Sequence, residues 1–181
     1  MSELAMLACA LGGVKIAGCL GSLYAPDQAR RALTGFSRHE VSGWFLTAID
    51  MFWAGWLILH TPPFSEMSKI EPLVYLGAPL AFFLLVIFMD EMLAPRALGG
   101  LLLLMATPVL ESARWHESEW TVVMKLIAYA WVIIGMFLVV SPYRYRQYIS
   151  LITGDRHRFR GSSVVGLIAG VLLVTLGLTA Y

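Results

Sequence analysis

The sequence predicts an all-α integral membrane protein, a single transmembrane domain over residues 1–181 with six transmembrane helices and two short interfacial amphipathic helices. Hydrophobic residues make up 59% of the chain, against about 45–50% in soluble domains. They are concentrated in six runs, most of them near the roughly 20 residues that span the hydrocarbon core. Basic residues alternate between the connections, which is typical of a chain that crosses the membrane repeatedly.

The predicted spans are these six apolar runs. They cover residues 4–24, 44–60, 72–93, 97–111, 121–141 and 162–180. The fourth run is short and is bracketed by Pro95 and Pro108, so the sequence leaves open whether it is a tilted span or a re-entrant segment. Taken in order, the spans form three hairpins at about 4–60, 72–111 and 121–180.

The arginine distribution orients the spans. The first, third and fifth connections carry nine basic residues: Arg30, Arg31, Arg38, Arg96, Arg144, Arg146, Arg156, Arg158 and Arg160. The other two connections carry only Lys69 and Arg114. Because cytoplasmic loops are enriched in Lys and Arg, the sequence predicts that both termini lie on the non-cytoplasmic side.

Two of the basic connections share a pattern that predicts short interfacial helices at 27–36 and 143–152. Each stretch follows a proline, Pro26 or Pro142, and its apolar residues recur at i, i+3, i+4 and i+7, which is one face of a helix. Arg30 and Arg31 lie between these positions in the first stretch, and Arg144 and Arg146 in the second. Such a helix lies in the membrane interface with its basic face toward the headgroups.

The same order of features continues beyond these two stretches. The matching elements are Thr34-Gly35 and Thr153-Gly154, then Arg38-His39 and Arg156-His157, then Gly43 and Gly161. This plan resembles that of small two-helix bacterial inner-membrane proteins of unknown function, in residues 23–57 and 138–178. The chain looks like a tandem version in which the middle linker, at Ala94-Pro95-Arg96, is shortened. The resemblance implies a bacterial inner membrane and no particular activity.

Lys15 and Asp50 are the charged residues that the sequence places deep within predicted spans. A charge at that depth is costly and marks a candidate functional site. Counted from the loop between their spans, their depths differ by roughly 6 Å. We therefore expect an ion pair that holds the first hairpin together, with an ion or proton transport site as the alternative.

Other site types have weaker support. His60, at the end of the second span, and His116, in the fourth connection, are candidate cofactor residues. Their spacing does not suit a metal site, and we predict no bound cofactor. The sequence has no catalytic motif, so we predict that the chain is not an enzyme. A net charge of +1 gives no field that would attract nucleic acid.

Small residues in the first and last spans predict close helix packing. Gly12 and Gly13 lie in the first span, and Gly166 and Gly170 are four residues apart in the last. Helices approach closely at such positions in a membrane. The sequence leaves open whether these surfaces pack within the chain or against a partner.

These observations favour a non-catalytic accessory or scaffold subunit of a membrane protein assembly. The alternative is a small transporter or channel that uses Lys15 and Asp50, and the second alternative is a subunit that binds a cofactor or pigment. The expected partners are membrane lipids together with other membrane subunits or further copies of the chain.

Overall fold

The computed structural model describes residues 2–36, 40–61, 70–88, 92–115 and 118–181. The helices in these ranges are α1 (Glu3–Tyr24), α2 (Pro26–Phe36), α3 (Glu40–His60), α4 (Ile70–Phe88), α5 (Leu93–Arg114), α6 (Thr121–Val140), α7 (Tyr143–Gly154) and α8 (Arg156–Thr179). Within the described residues, six of them are long and apolar enough to cross a membrane, namely α1, α3, α4, α5, α6 and α8. The predicted all-α class with six candidate spans is confirmed for the described residues.

The fourth span is longer than the sequence predicts. Helix α5 has 22 residues, about 33 Å at 1.5 Å per residue, which is enough to cross a core of about 30 Å. It begins before Pro95, because a first-turn proline has no intrahelical hydrogen bond to lose. The segment 94–96, which we expected to be a connection, therefore belongs to α5. Helix α4 is described as far as Phe88, residues 89–91 lie outside the described part, and residue 93, which we expected to end this span, is the first residue of α5.

Helices α2 and α7 occur where the sequence predicts helical linkers, and they contact each other. The Arg30 side chain donates a hydrogen bond to the Thr153 carbonyl oxygen. The rings of Phe36 and Tyr145 lie 5.8 Å apart, and burial raises the pKa of the Tyr145 phenol. Each of these two contacts joins a residue of α2 to a residue of α7. Their orientation relative to the membrane stays a prediction.

The chain divides into two compact units. The first comprises Met1–Gly35, Met105–Ile133 and Arg146–Tyr181, and the second comprises Phe36–Leu104 and Ile134–Tyr145. The first unit has a hydrophobic core formed by Leu4, Ala8, Ala106, Val109, Ala113, Met124, Ala128 and Leu173. The three hairpins and the single domain stay predictions.

The first and last spans pack closely in the first unit. A methyl group added at Gly166 would lie 2.7 Å from the Cys19 Sγ atom, and one added at Gly177 would lie 2.7 Å from the Cys9 Sγ atom. Residue numbers fall along α8 as they rise along α1, so the helices are antiparallel.

Polar contacts close both ends of this helix pair. The Ser2 hydroxyl donates to the main-chain oxygen of Tyr181 over 2.8 Å. At the other end the Ser22 hydroxyl donates to the Ser163 hydroxyl, also over 2.8 Å. The Tyr181 hydroxyl donates to the Trp120 carbonyl oxygen over 2.6 Å, and burial raises the pKa of this phenol. The α1–α8 contact is therefore held by small residues along its length and by hydrogen bonds at its ends.

Candidate functional site

The second unit contains a buried carboxylate at a contact between two spans. A methyl group added at Gly43 would lie 3.0 Å from the Ala94 nitrogen, and one added at Gly100 would lie 2.7 Å from the Asp50 Oδ2 atom. Residue numbers rise along both helices from the first of these contacts to the second, so α3 and α5 run parallel here. Asp50 is the central residue of α3. Its carboxylate therefore lies at the middle of a candidate span.

Asp50 is enclosed and incompletely hydrogen-bonded. The residue is only 7% exposed. Its Oδ1 atom is buried and has no hydrogen-bond partner within the described ranges. Its Oδ2 atom occupies the space left by the missing side chain of Gly100. A buried polar group without a partner costs free energy, so this carboxyl group calls for a functional or structural explanation.

Two other polar groups belong to the same helix contact. Thr47, one turn before Asp50, is buried, and its hydroxyl donates to the Gly43 carbonyl oxygen over 2.8 Å. Arg96, one turn before Gly100, has a buried Nε atom that makes no hydrogen bond to any described residue. The contact thus brings an incompletely satisfied carboxylate and an incompletely satisfied guanidinium to adjacent helices. In chemical terms the carboxylate is able to accept a proton or a small cation.

Lys15 belongs to the first unit and is exposed. Its Cε atom lies 4.0 Å from the position of a methyl group added at Gly166, which places Lys15 at the border of the α1–α8 contact. Asp50 belongs to the second unit. The ion pair between Lys15 and Asp50 stays a prediction.

The glycines of α1 lie on two different faces. A methyl group added at Gly12 would lie 2.8 Å from the Gly170 carbonyl oxygen, whereas one added at Gly13 would meet no atom within 4 Å. Gly21 is equally free of neighbours, and Ala17 between them is exposed. Gly13, Ala17 and Gly21 are spaced four residues apart, so they share one helix face. We call these three residues the open α1 face. The sequence grouped Gly12 with Gly13, but the structure separates them.

The remaining predicted site residues have separate surroundings. The His60 ring stacks on the Trp56 ring at 4.6 Å, and its Nδ1 atom lies 2.8 Å from the Trp56 carbonyl oxygen. His116 lies outside the described residues. No group of three or more His, Cys, Asp and Glu side chains suited to a metal occurs in the described ranges. Arg31, Arg144 and Arg146 are exposed on α2 and α7, and the Arg144 guanidinium lies 5.8 Å from the Phe137 ring centroid.

The sequence analysis missed a charged cleft in the first unit. Its volume is about 440 Å³, and it is lined by Thr107, Leu110, Glu111, Arg114, Lys125 and Tyr129. Lys125 interrupts the apolar run 121–141 one turn after its start, and that interruption was the available signal. We call this space the α5–α6 cleft.

The chain was compared with protein-family models, with curated proteins and with solved structures. No family model, curated protein or solved structure matches it.

Proposed function

We propose that the chain is a non-catalytic accessory or scaffold subunit of a membrane protein assembly. The observation that carries this proposal is the open α1 face. Gly13, Ala17 and Gly21 are small residues spaced four positions apart, and a methyl group at either glycine would meet no atom of another described part of the chain within 4 Å. The face has the composition of a helix-packing surface, and among the described residues nothing packs against its two glycines.

The physical argument rests on how helices associate in lipid. Lipid tails are as apolar as leucine, so close van der Waals packing at small residues supports much of the association. The chain itself has such a close helix contact where Gly12 of α1 lies against Gly170 of α8. Many exposed positions elsewhere on the spans carry large side chains, among them Phe52, Phe83 and Leu172, which suit contact with lipid. The open α1 face differs from them and is suited to a transmembrane helix of a partner subunit.

The location is part of the same proposal. The nine basic residues in alternate connections favour an orientation with both termini on the non-cytoplasmic side. The resemblance to two-helix inner-membrane proteins favours the bacterial inner membrane. Helices α2 and α7 would then lie on the cytoplasmic face, with Arg31, Arg144 and Arg146 available to lipid headgroups.

The accessory-subunit proposal predicts a position-specific cross-link. A photo-reactive amino acid at Ala17 should capture a distinct partner protein in native membranes, identified by mass spectrometry. The same group at Leu172, which is also exposed in a span, serves as the matched control and should capture lipid. Introduction of Gly13→Leu beside the probe should remove the partner band while the yield of the chain stays the same.

Two results would contradict the proposal. Lipid adducts at both positions would show that the open α1 face has no protein partner. A cross-link only to a second copy of the chain would show a homo-oligomer in place of an accessory subunit.

A second candidate function is favoured by Asp50. A buried carboxylate at the centre of a span, with one oxygen lacking a partner within the described ranges, suits a proton or cation site of a small transporter or channel. We expect in this case that vesicles containing the purified chain dissipate a pH gradient, monitored with an entrapped dye. Asp50→Asn should abolish this flux without lowering the yield of folded protein.

If Lys15 and Asp50 instead form the predicted ion pair, single substitutions should lower the yield of folded protein. Removal of one partner of a buried pair leaves a lone charge and typically costs about 3–5 kcal/mol. Asp50→Asn or Lys15→Met alone should then reduce membrane yield more than the double substitution does. Equal yields of all three variants would exclude the structural pair.

A further inference from the structure

We propose that the α5–α6 cleft binds the phosphate of an anionic phospholipid headgroup, with Lys125 and Arg114 as its cationic ligands. This inference is independent of the proposed function. It rests on the placement, charge and depth of the side chains that line the cleft.

The lining side chains form two polar stripes. Thr107, Glu111 and Arg114 recur at helical spacing on α5, and Lys125 and Tyr129 are four residues apart on α6. Both stripes open into one space of about 440 Å³, within the range of about 300–1,000 Å³ that is usual for ligand pockets. The cleft therefore presents two cations, one carboxylate and two hydroxyl groups to one ligand.

The charges of the cleft do not neutralise one another. Lys125 and Arg114 outnumber Glu111, so the lining carries a net charge of +1. None of these three side chains forms a hydrogen bond or an ion pair with another residue in the described part of the chain. Two neighbouring cations without a carboxylate partner attract an anion, and phosphate oxygens are strong acceptors for Arg and Lys donors. The excess charge matches a phosphodiester, which carries one negative charge.

The depth of the cleft favours a lipid over a soluble phosphate. Arg114 is the last residue of α5, and Lys125 lies one turn into α6. Exposed Trp115 and Trp120 lie between these helices in sequence, and exposed tryptophans are typical of the membrane–water interface. The cations thus lie at the level of headgroup phosphates. Exposed Leu126 and Ile133, which follow Lys125 along α6, supply an apolar surface for the acyl chains of the same molecule.

The test uses the full chain, purified in detergent and stripped of lipid. Phosphatidylglycerol is added in steps, and the bound lipid is counted by native mass spectrometry. We expect one tight site in the wild-type chain. In the double variant Arg114→Gln/Lys125→Gln its affinity should fall at least tenfold. Lys125→Arg should retain the site, and Arg158→Gln, which removes an exposed charge elsewhere, should leave the affinity unchanged.

A second variant tests whether the cleft binds phosphate even when the double variant does not fold. Glu111→Gln removes the negative charge from the cleft and keeps the shape of the side chain. Since a carboxylate repels a phosphate, this variant should bind phosphatidylglycerol at least twofold more tightly than the wild-type chain. Unchanged or weaker binding by Glu111→Gln would overturn the proposal.

Two ligand controls separate the possible sources of affinity. Diacylglycerol with the same acyl chains lacks the phosphate, so we expect it not to occupy the tight site. Inorganic phosphate at millimolar concentration should not displace the lipid. Equal binding of diacylglycerol would overturn the phosphate assignment, and displacement by inorganic phosphate would show a free-anion site instead.

Discussion

Gly12→Val should lower the free energy of unfolding by about 3 kcal/mol, the upper end of the usual cost of overpacking. A β-carbon at Gly12 would lie 2.8 Å from the Gly170 carbonyl oxygen and 3.0 Å from the Val174 nitrogen. Both are main-chain atoms of α8, so relief requires the two helices to move apart. The measurement is unfolding of the isolated chain in detergent, followed by circular dichroism.

Gly13→Val is the matched control, because it makes the same exchange in the same helix at a position with no atom within 4 Å. Differences in helix propensity cancel between the two variants, so we expect Gly13→Val to change stability by less than about 1 kcal/mol. Equal destabilisation by the two substitutions would contradict the α1–α8 contact. If the open α1 face binds a partner subunit as proposed, Gly13→Val should weaken that association in native membranes.

The second large effect is an energetic coupling between Gly100 and Asp50. Gly100→Val places a β-carbon 2.7 Å from the Asp50 Oδ2 atom, and we expect it to cost about 1–3 kcal/mol. In an Asp50→Ala background the carboxylate is absent and the new side chain has room. The cost should then fall by at least about 1 kcal/mol, within the usual range for residues in contact.

The control for this cycle is Gly77→Val, at a glycine of α4 with no atom within 4 Å. Its effect should be the same in both backgrounds. Strict additivity of Gly100→Val and Asp50→Ala would show that the carboxylate does not occupy the space beside Gly100.

The spans could be predicted from the sequence because a run of about 20 apolar residues is a strong local signal. The fourth span was underestimated because we took Pro95 as a boundary, whereas a proline in the first turn is compatible with a helix. Whether α5 begins before or after Pro95 depends on Leu93 and Ala94, which are both buried and lie against α3 at Gly43. That contact is between residues far apart in the sequence.

From the sequence, the candidate sites could be predicted only as individual residues, without the neighbours that surround them in the structure. Asp50 was a visible charge in an apolar run, but its enclosure depends on Gly100, on another helix. Gly12 and Gly13 looked equivalent, yet adjacent residues on a helix point about 100° apart, so only one of them meets α8. The sequence does not reveal the role of Lys125, because the other charged residues that line the cleft, Glu111 and Arg114, lie on the preceding helix.

The α1–α8 contact sets an order of events during synthesis. About 130 residues separate Tyr24 from Arg156, the end of α1 from the start of α8. At typical translation rates of about 5–20 residues per second, α8 is complete roughly 8–30 s after α1. Until then α8 does not cover Gly12. A partner helix of the kind proposed above would therefore meet α1 with both the Gly12 face and the Gly13 face uncovered, and α8 would later cover the Gly12 face.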